Sequence, residues 1–420
     1  MPGWTGTHGH SVTESGASSK RIMFLSSNGV RWGGSEELWA RTAEALVAQG
    51  HRVAVAKPLL DRSQPMVARL AGHGCTMYDL VKLPLLLRWT IGLASRILGR
   101  IRWLGPSLYL RWLMSRESPD LVVLSQGANW DGLHYAEELR RLGLIYAVIA
   151  QKATEQFWPD DRALPRVKLL YEKAVACFFV SHHNLRLTEE QLGFRLPNAT
   201  VVRNPFLLSW HAPQPWPASD GGFRLACVGR FNPSEKGQDL LLRVLSQAKW
   251  RERPIEVALY GSGEWEQGIR AMAALLDLPA VRIAGFESDV GRIWADHHGL
   301  ILPSRAEGLP LVVVEAMLAG RVVMTTDVGG SAEVCQDGVT GFIAGAATVP
   351  DIDDLLERAW ARRAEWPEIG AAAAVAIRGL VPPDPAAELA TRLLQLVERS
   401  MPHVVQESPL PNVRVLAATD

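Results

Sequence analysis

Strands alternating with helices, a proline-broken stretch near residue 210, and a restart of the same alternation predict an α/β protein. The expected architecture is two tandem Rossmann-like domains facing a central cleft. A chain of 420 residues has room for two or three domains. Its 48% apolar and 21% charged content are ordinary for a globular chain.

Each element has its own signal. Residues 1–19 are rich in Gly, Ser and Thr and lack an apolar run, so a disordered leader is expected rather than a signal peptide. "RIMFLSS" (21–27) reads as a buried strand. The helical periodicity of "EELWARTAEALVAQG" stops at Gly50, and "RVAVA" (52–56) is the next strand. "DLVVLS" (120–125), "YAVIA" (146–150) and "ACFFVS" (176–181) extend the parallel sheet. "SWHAPQPWPASDGG" (209–222) marks the break, by its prolines and its glycine pair. Strands then follow at 223–229, 255–261, 281–285, 299–304 and 321–326, with helices at 237–248, after Pro310 and at 386–400. The expected limits are a first domain over 20–208, a linker over 209–221, a second domain over 222–400 and a flexible tail over 401–420. In such sheets ligands bind at the carboxyl ends of the strands.

Charge and cysteines narrow the function classes. Zero net charge argues against a nucleic-acid binder. Cys75, Cys177, Cys227 and Cys335 stand singly, which gives no disulfide or zinc framework and suits a cytoplasmic, reducing location. No stretch reaches 18 uncharged apolar residues, so a transmembrane helix is not expected.

Four motifs carry the candidate chemistry. "RAEGLPLVVVEAMLAG" (305–320) holds Glu307 and Glu315 around Pro310, a residue suited to a first helical turn. Glu307 is expected in the loop and Glu315 inside the helix, about 10 Å apart along the axis. That is too far for one metal and suits two contacts on one long ligand, with the helix N-terminus favouring an anion between them. Spacing alone leaves open that Glu307 caps the helix and Glu315 is solvated. "VGRFNPSEKGQDLLL" (228–242) places Arg230 and Lys236 at a strand end, where two cations can neutralise a phosphate or simply be solvated. In "NGVRWGGSEE" (28–37), Gly33 and Gly34 allow close backbone approach to a ligand. This is not GxGxxG, and the second strand ends in Lys57 rather than an acidic residue, so a dehydrogenase is disfavoured. The glycine pairs of "TTDVGGSAEVCQDGVTGF" (325–342) suggest tight turns near the cleft.

In this order, "GGSEE", "GRFNPSEKGQDLLL", "PSRAEGLPLVVVEAM" and "DVGGSAEVCQDGVTGF" resemble the GT-B fold glycosyltransferases of family 4, over roughly residues 21–398. The resemblance implies retaining, metal-independent transfer of a sugar from a nucleotide-sugar donor to a sugar or lipid-linked acceptor, in polysaccharide or glycolipid synthesis. It places the donor on the second domain and the acceptor on the first, and implies neither cofactor nor metal. By motif match Arg230 and Lys236 hold the diphosphate, Glu315 the ribose, and Glu307 lies beside the sugar with Gly308 and Leu309. Gly33 and Gly34 form the loop that closes on the phosphates. The last helix is expected to cross back to the first domain.

One departure stands out. Relatives often carry histidines after the fourth and fifth strands of the first domain, and here Gln151 stands at one of those places. An unusual acceptor site from Asn129, Trp130, Asp131 and Gln151 is therefore expected, unless Trp130 only packs and Asp131 only caps a helix. Rival readings are a nucleotide-sugar epimerase, a sugar-phosphate synthase, or a binding protein without turnover. Residues 80–116 carry seven cations, no acidic residue and three tryptophans, which predicts docking on an anionic membrane surface, the inner face of the plasma membrane, unless the segment is a basic face of the first domain.

Overall fold

A computed structural model describes residues 18–30, 32–82, 105–211, 213–218 and 221–400. The expected leader up to residue 17, the basic segment over 83–104 and the tail over 401–420 lie outside the described residues.

The first sheet contains β1 (Arg21–Ser26), β2 (Arg52–Lys57), β3 (Thr76–Asp79), β4 (Leu121–Gln126), β5 (Tyr146–Ala150), β6 (Cys177–Phe179) and β7 (Ala199–Val201). Its order is β3-β2-β1-β4-β5-β6-β7, and every pairing is parallel. The second contains β8 (Phe223–Val228), β9 (Ile255–Tyr260), β10 (Val281–Gly285), β11 (Gly299–Leu302), β12 (Val322–Thr326) and β13 (Gly341–Ala344). It is also parallel, in the order β10-β9-β8-β11-β12-β13. Central strands such as β4, β5 and β12 are buried throughout, as expected for apolar runs covered by helices on both faces.

Three strands lack a signal in the sequence reading. β3 and β7 are short edge strands, only partly covered, so they need no continuous apolar run. β13 begins inside the glycine-rich stretch that reads as loop.

The strand order reverses between β1 and β4 in one sheet and between β8 and β11 in the other. The loops leaving these four strands open onto the crevices where ligands of doubly wound sheets bind. The last helix, Pro385–Ser400, leaves the second domain and packs on the helix Gly34–Ala48. Its Leu389, Ala390 and Leu393 share one apolar core with Phe24 and Trp39 of the first domain and Val313 and Met317 of the second. No helix among the described residues is long and apolar enough to cross a membrane.

The described end of the basic segment is a domain helix, Gly105–Glu117. Tyr109, Leu110, Leu113 and Met114 are buried in it. Arg111 donates to Glu138, and Trp112 stacks on Tyr109 at 5.9 Å between centroids with Arg116 over its ring. Along this helix Tyr109, Leu110, Leu113 and Met114 thus pack into the first domain, while Leu108, Arg111 and Arg116 stay exposed.

Candidate active site

A cleft of about 530 Å³ lies between the domains, walled by the loops that leave β1, β4, β5, β8 and β11. A cavity of about 620 Å³ lies elsewhere, where the last helix meets the first domain. Its Arg69 is paired with Glu44 and its Arg41 with Glu37, so it reads as a junction crevice.

The second-domain wall forms from two motifs. After β8, Arg230 leads into a one-turn helix, Pro233–Lys236. After β11, residues 303–310 lead into the helix Leu311–Leu318. Arg305 ties the two together: its guanidinium donates to both oxygens of Asp239, at 2.6 and 3.0 Å, and to Pro233 O at 2.5 Å. Lys236 Nζ then donates to Glu307 Oε1 at 2.5 Å, and Ser304 Oγ donates to the same oxygen at 2.7 Å. Glu307 is buried, and the N-cap of the following helix is Pro310, with no side chain capping it. Glu307 therefore faces the basic loop and does not cap the helix.

Glu315, on the second turn of that helix, is also buried rather than solvated. Its Oε1 accepts the Leu207 N–H at 3.0 Å, and burial lifts its pKa to about 7. Both carboxylates, with Arg230, Lys236, Gly308 and Leu309, line the one cleft.

Gly33 and Gly34 face them from the first domain. A Cβ on Gly34 would stand 3.0 Å from Leu311 Cδ1. Below this loop lies Lys57, fully buried, a rare place for a lysine. Its Nζ donates to Asn28 O at 2.9 Å and Val30 O at 2.5 Å, and lies 3.5 Å from Glu36 Oε1. Burial pushes the Lys57 pKa down and the Glu36 pKa up, and each charge works against the shift of the other. Lys57 thus braces the glycine loop from beneath. Its polarity at the end of an apolar strand is the signal that could have marked it.

The expected acceptor group divides. Gln151 and Asp131 line the cleft. Gln151 is buried, and its Nε2 has no hydrogen-bond partner. Asp131 does not cap the following helix, whose N-cap is Gly132; its Oδ2 accepts the Ala128 N–H at 2.7 Å and closes the loop after β4. Asn129 and Trp130 are not among the residues lining the cleft. Asn129 is buried, with its Nδ2 donating to Thr188 Oγ1 at 3.0 Å and Gln191 Oε1 at 2.6 Å. Trp130 packs on the first-domain core.

Further charged residues, which no motif singles out, join the two domains. Glu235 accepts from Arg230 at 3.0 Å and, across the cleft, from Lys152 at 2.8 Å. Burial works to raise the Glu235 pKa, but bonded Lys152 with Arg230 and Lys236 nearby leaves it below its ordinary value. Elsewhere along the domain boundary Glu333 accepts the His183 N–H at 2.7 Å and Arg203 Nη1 at 3.0 Å. The domains also come close at Gly308, where a Cβ would stand 2.0 Å from Gln151 O. Among the described residues no three His, Cys, Asp or Glu side chains converge as metal ligands would.

Comparisons with known proteins fit this geometry. Residues 222–361 match the family model described as glycosyl transferases group 1. A glycogen synthase of Pseudomonas syringae is 32% identical over 164 residues, 39% of this chain and 32% of that protein. A D-inositol 3-phosphate glycosyltransferase of Gordonia bronchialis is 29% identical over 34% of each chain. The chain thus spans about a third of the length of these curated relatives. Anabaena HepE, solved with UDP and glucose, superposes with a TM-score of 0.68 at 17% identity, over 90% of this chain and 99% of its own. Sucrose-phosphate synthase of Thermosynechococcus elongatus gives 0.71 at 16% identity, over 91% and 100%. The chain as a whole therefore has the two-domain GT-B fold, and its second domain matches the group 1 glycosyl transferases over residues 222–361.

Proposed function

We propose that the protein is a family 4 glycosyltransferase that moves a sugar from a nucleotide-sugar donor to a sugar or lipid-linked acceptor, with retention and without a metal. The observation that carries this reading is the joining of Arg230, Lys236, Glu307 and Glu315 on one wall of an interdomain cleft. Departure of a nucleoside diphosphate puts negative charge on phosphate, and two cations beside an uncapped helix N-terminus suit that charge. Glu307, already holding Lys236 and Ser304, suits stabilisation of positive charge on the sugar better than covalent attack. Glu315, deep on the helix, suits the ribose hydroxyls. Solution of HepE with UDP and glucose supports a UDP-linked donor.

Release of nucleoside diphosphate from a panel of nucleotide sugars, with and without EDTA, tests the reading. One donor should be turned over and EDTA should not slow it. No turnover of any donor with binding retained would favour the non-catalytic reading. Strong inhibition by EDTA would end the metal-independent one.

A further inference from the structure

Two large apolar side chains stand in water on the loop after β5, Phe157 at 49% exposure and Trp158 at 59%. That loop is held firmly. Gln191 Nε2 donates to Thr154 O at 2.9 Å and Phe157 O at 3.0 Å, and Gln191 is itself held by Asn129. On the far side Asp160 Oδ1 accepts the N–H groups of Arg162 and Ala163 at 3.0 and 2.7 Å, and Pro159 between them is buried. The rings are therefore presented by an ordered backbone, against the hydrophobic tendency to bury them.

Their surroundings point to the occupant. Phe157 lines the cleft itself, on the wall with Lys152 and Gln151, whose buried Nε2 is unpartnered. Trp158 is not among the cleft-lining residues but follows Phe157 directly, and exposed aromatic faces beside a few polar groups suit a ring that has one apolar face and hydroxyls at its edge. Glu155, Asp160 and Asp161 outnumber Lys152 and Arg162 around the two rings in sequence, and such a charge balance opposes an anionic membrane surface.

We propose that Phe157 and Trp158 form an aromatic platform on which the sugar rings of the acceptor stack as it enters the cleft. This rests on the glycosyltransferase reading above. Asn129 and Gln191 then act as positioning residues, holding the loop that carries the rings.

The test uses the full chain on an immobilised oligosaccharide array with UDP present. UDP binding by calorimetry and sedimentation with phosphatidylglycerol vesicles are run in parallel. Wild type should retain at least one oligosaccharide. Trp158→Ala, Phe157→Ala and Trp158→Lys should each weaken that binding about tenfold, Trp158→Phe should stay within about threefold, and UDP binding should be kept. Trp158→Lys guards against an alanine variant that fails to fold, since an exposed site tolerates a polar side chain. Three results would overturn the platform: no oligosaccharide retained by wild type, equal retention by the alanine and lysine variants, or loss of vesicle binding with oligosaccharide binding intact. Ring-dependent oligosaccharide binding without UDP binding would keep the platform and remove the UDP-linked donor instead.

Discussion

The two walls of the cleft are built differently. On the second-domain wall the functional side chains hold one another: Lys236 on Glu307, Arg230 on Glu235, and Arg305 clamping both loops through Asp239. On the first-domain wall the residues facing the cleft are held by groups behind them. Lys57 and Glu36 brace the glycine loop, and Gln191 pins the loop after β5. A wall whose parts lock each other within two short motifs keeps a recognisable sequence. A wall braced from behind can change its facing residues while keeping its shape. Consistent with this, the family model covers residues 222–361 and not the first domain.

Lys236→Ala should break the second wall with the largest effect. Removing a donor to developing charge costs roughly 10²- to 10³-fold in turnover, by analogy with oxyanion sites. Steady-state kinetics with the active donor checks this, and a variant keeping more than a third of wild-type turnover would remove Lys236 from the chemistry.

Lys57→Met attacks the brace of the first wall and should appear in stability before activity. Leaving Glu36 buried without its partner should cost about 3–5 kcal/mol in a denaturant melt at pH 8. The loss should shrink at low pH as Glu36 takes up a proton, and adding Glu36→Gln should recover part of it. An unchanged melt would show that the glycine loop needs no such brace.

On the proposed reading, Glu307 serves the chemistry and Glu315 the binding of the donor. The ribose does not change during reaction, so Glu315→Gln should mainly raise donor KM, by a loss of roughly 1–3 kcal/mol. Glu307→Gln should lower kcat with donor affinity nearly kept. The opposite split would reverse the two assignments.

Glu315 also carries a pH signature. Its carboxyl is lifted from an ordinary 4.5 to about 7 by burial, so between these values the folded protein keeps a proton that the unfolded chain has lost. The stability this contributes is full below the unfolded value and is lost as pH rises through about 7. Wild type should therefore lose up to roughly 3 kcal/mol relative to Glu315→Gln between pH 4.5 and pH 8. Parallel pH profiles for the two proteins would place the carboxylate in wetter surroundings.

The smallest effect is expected where the walls touch. Glu235 is about a quarter exposed and bonds cations of both domains, so Glu235→Gln removes a partly screened pair. Donor KM should fall by less than about fivefold, and by less still in high salt. A rise above tenfold would show that Glu235 itself meets the donor.

The sequence by itself determined the two parallel sheets and the short stretches that hold the candidate residues of the second wall. Apolar strand runs and helical periodicity are local, and Arg230, Lys236, Glu307 and Glu315 fall in short stretches at strand ends. Its limits follow from the same physics. Edge strands β3 and β7 carry little buried surface and so little pattern. Tertiary structure alone decided which polar residues face the cleft. Asn129 and Asp131 lie two positions apart after one strand, yet one turns inward to Thr188 and Gln191 while the other lines the cleft. It also set Lys152 against Glu235, 83 residues away, and Gly308 against the Gln151 carbonyl. Such pairings depend on how the two sheets come together, and no local periodicity encodes a contact between strand ends that meet only across a domain boundary.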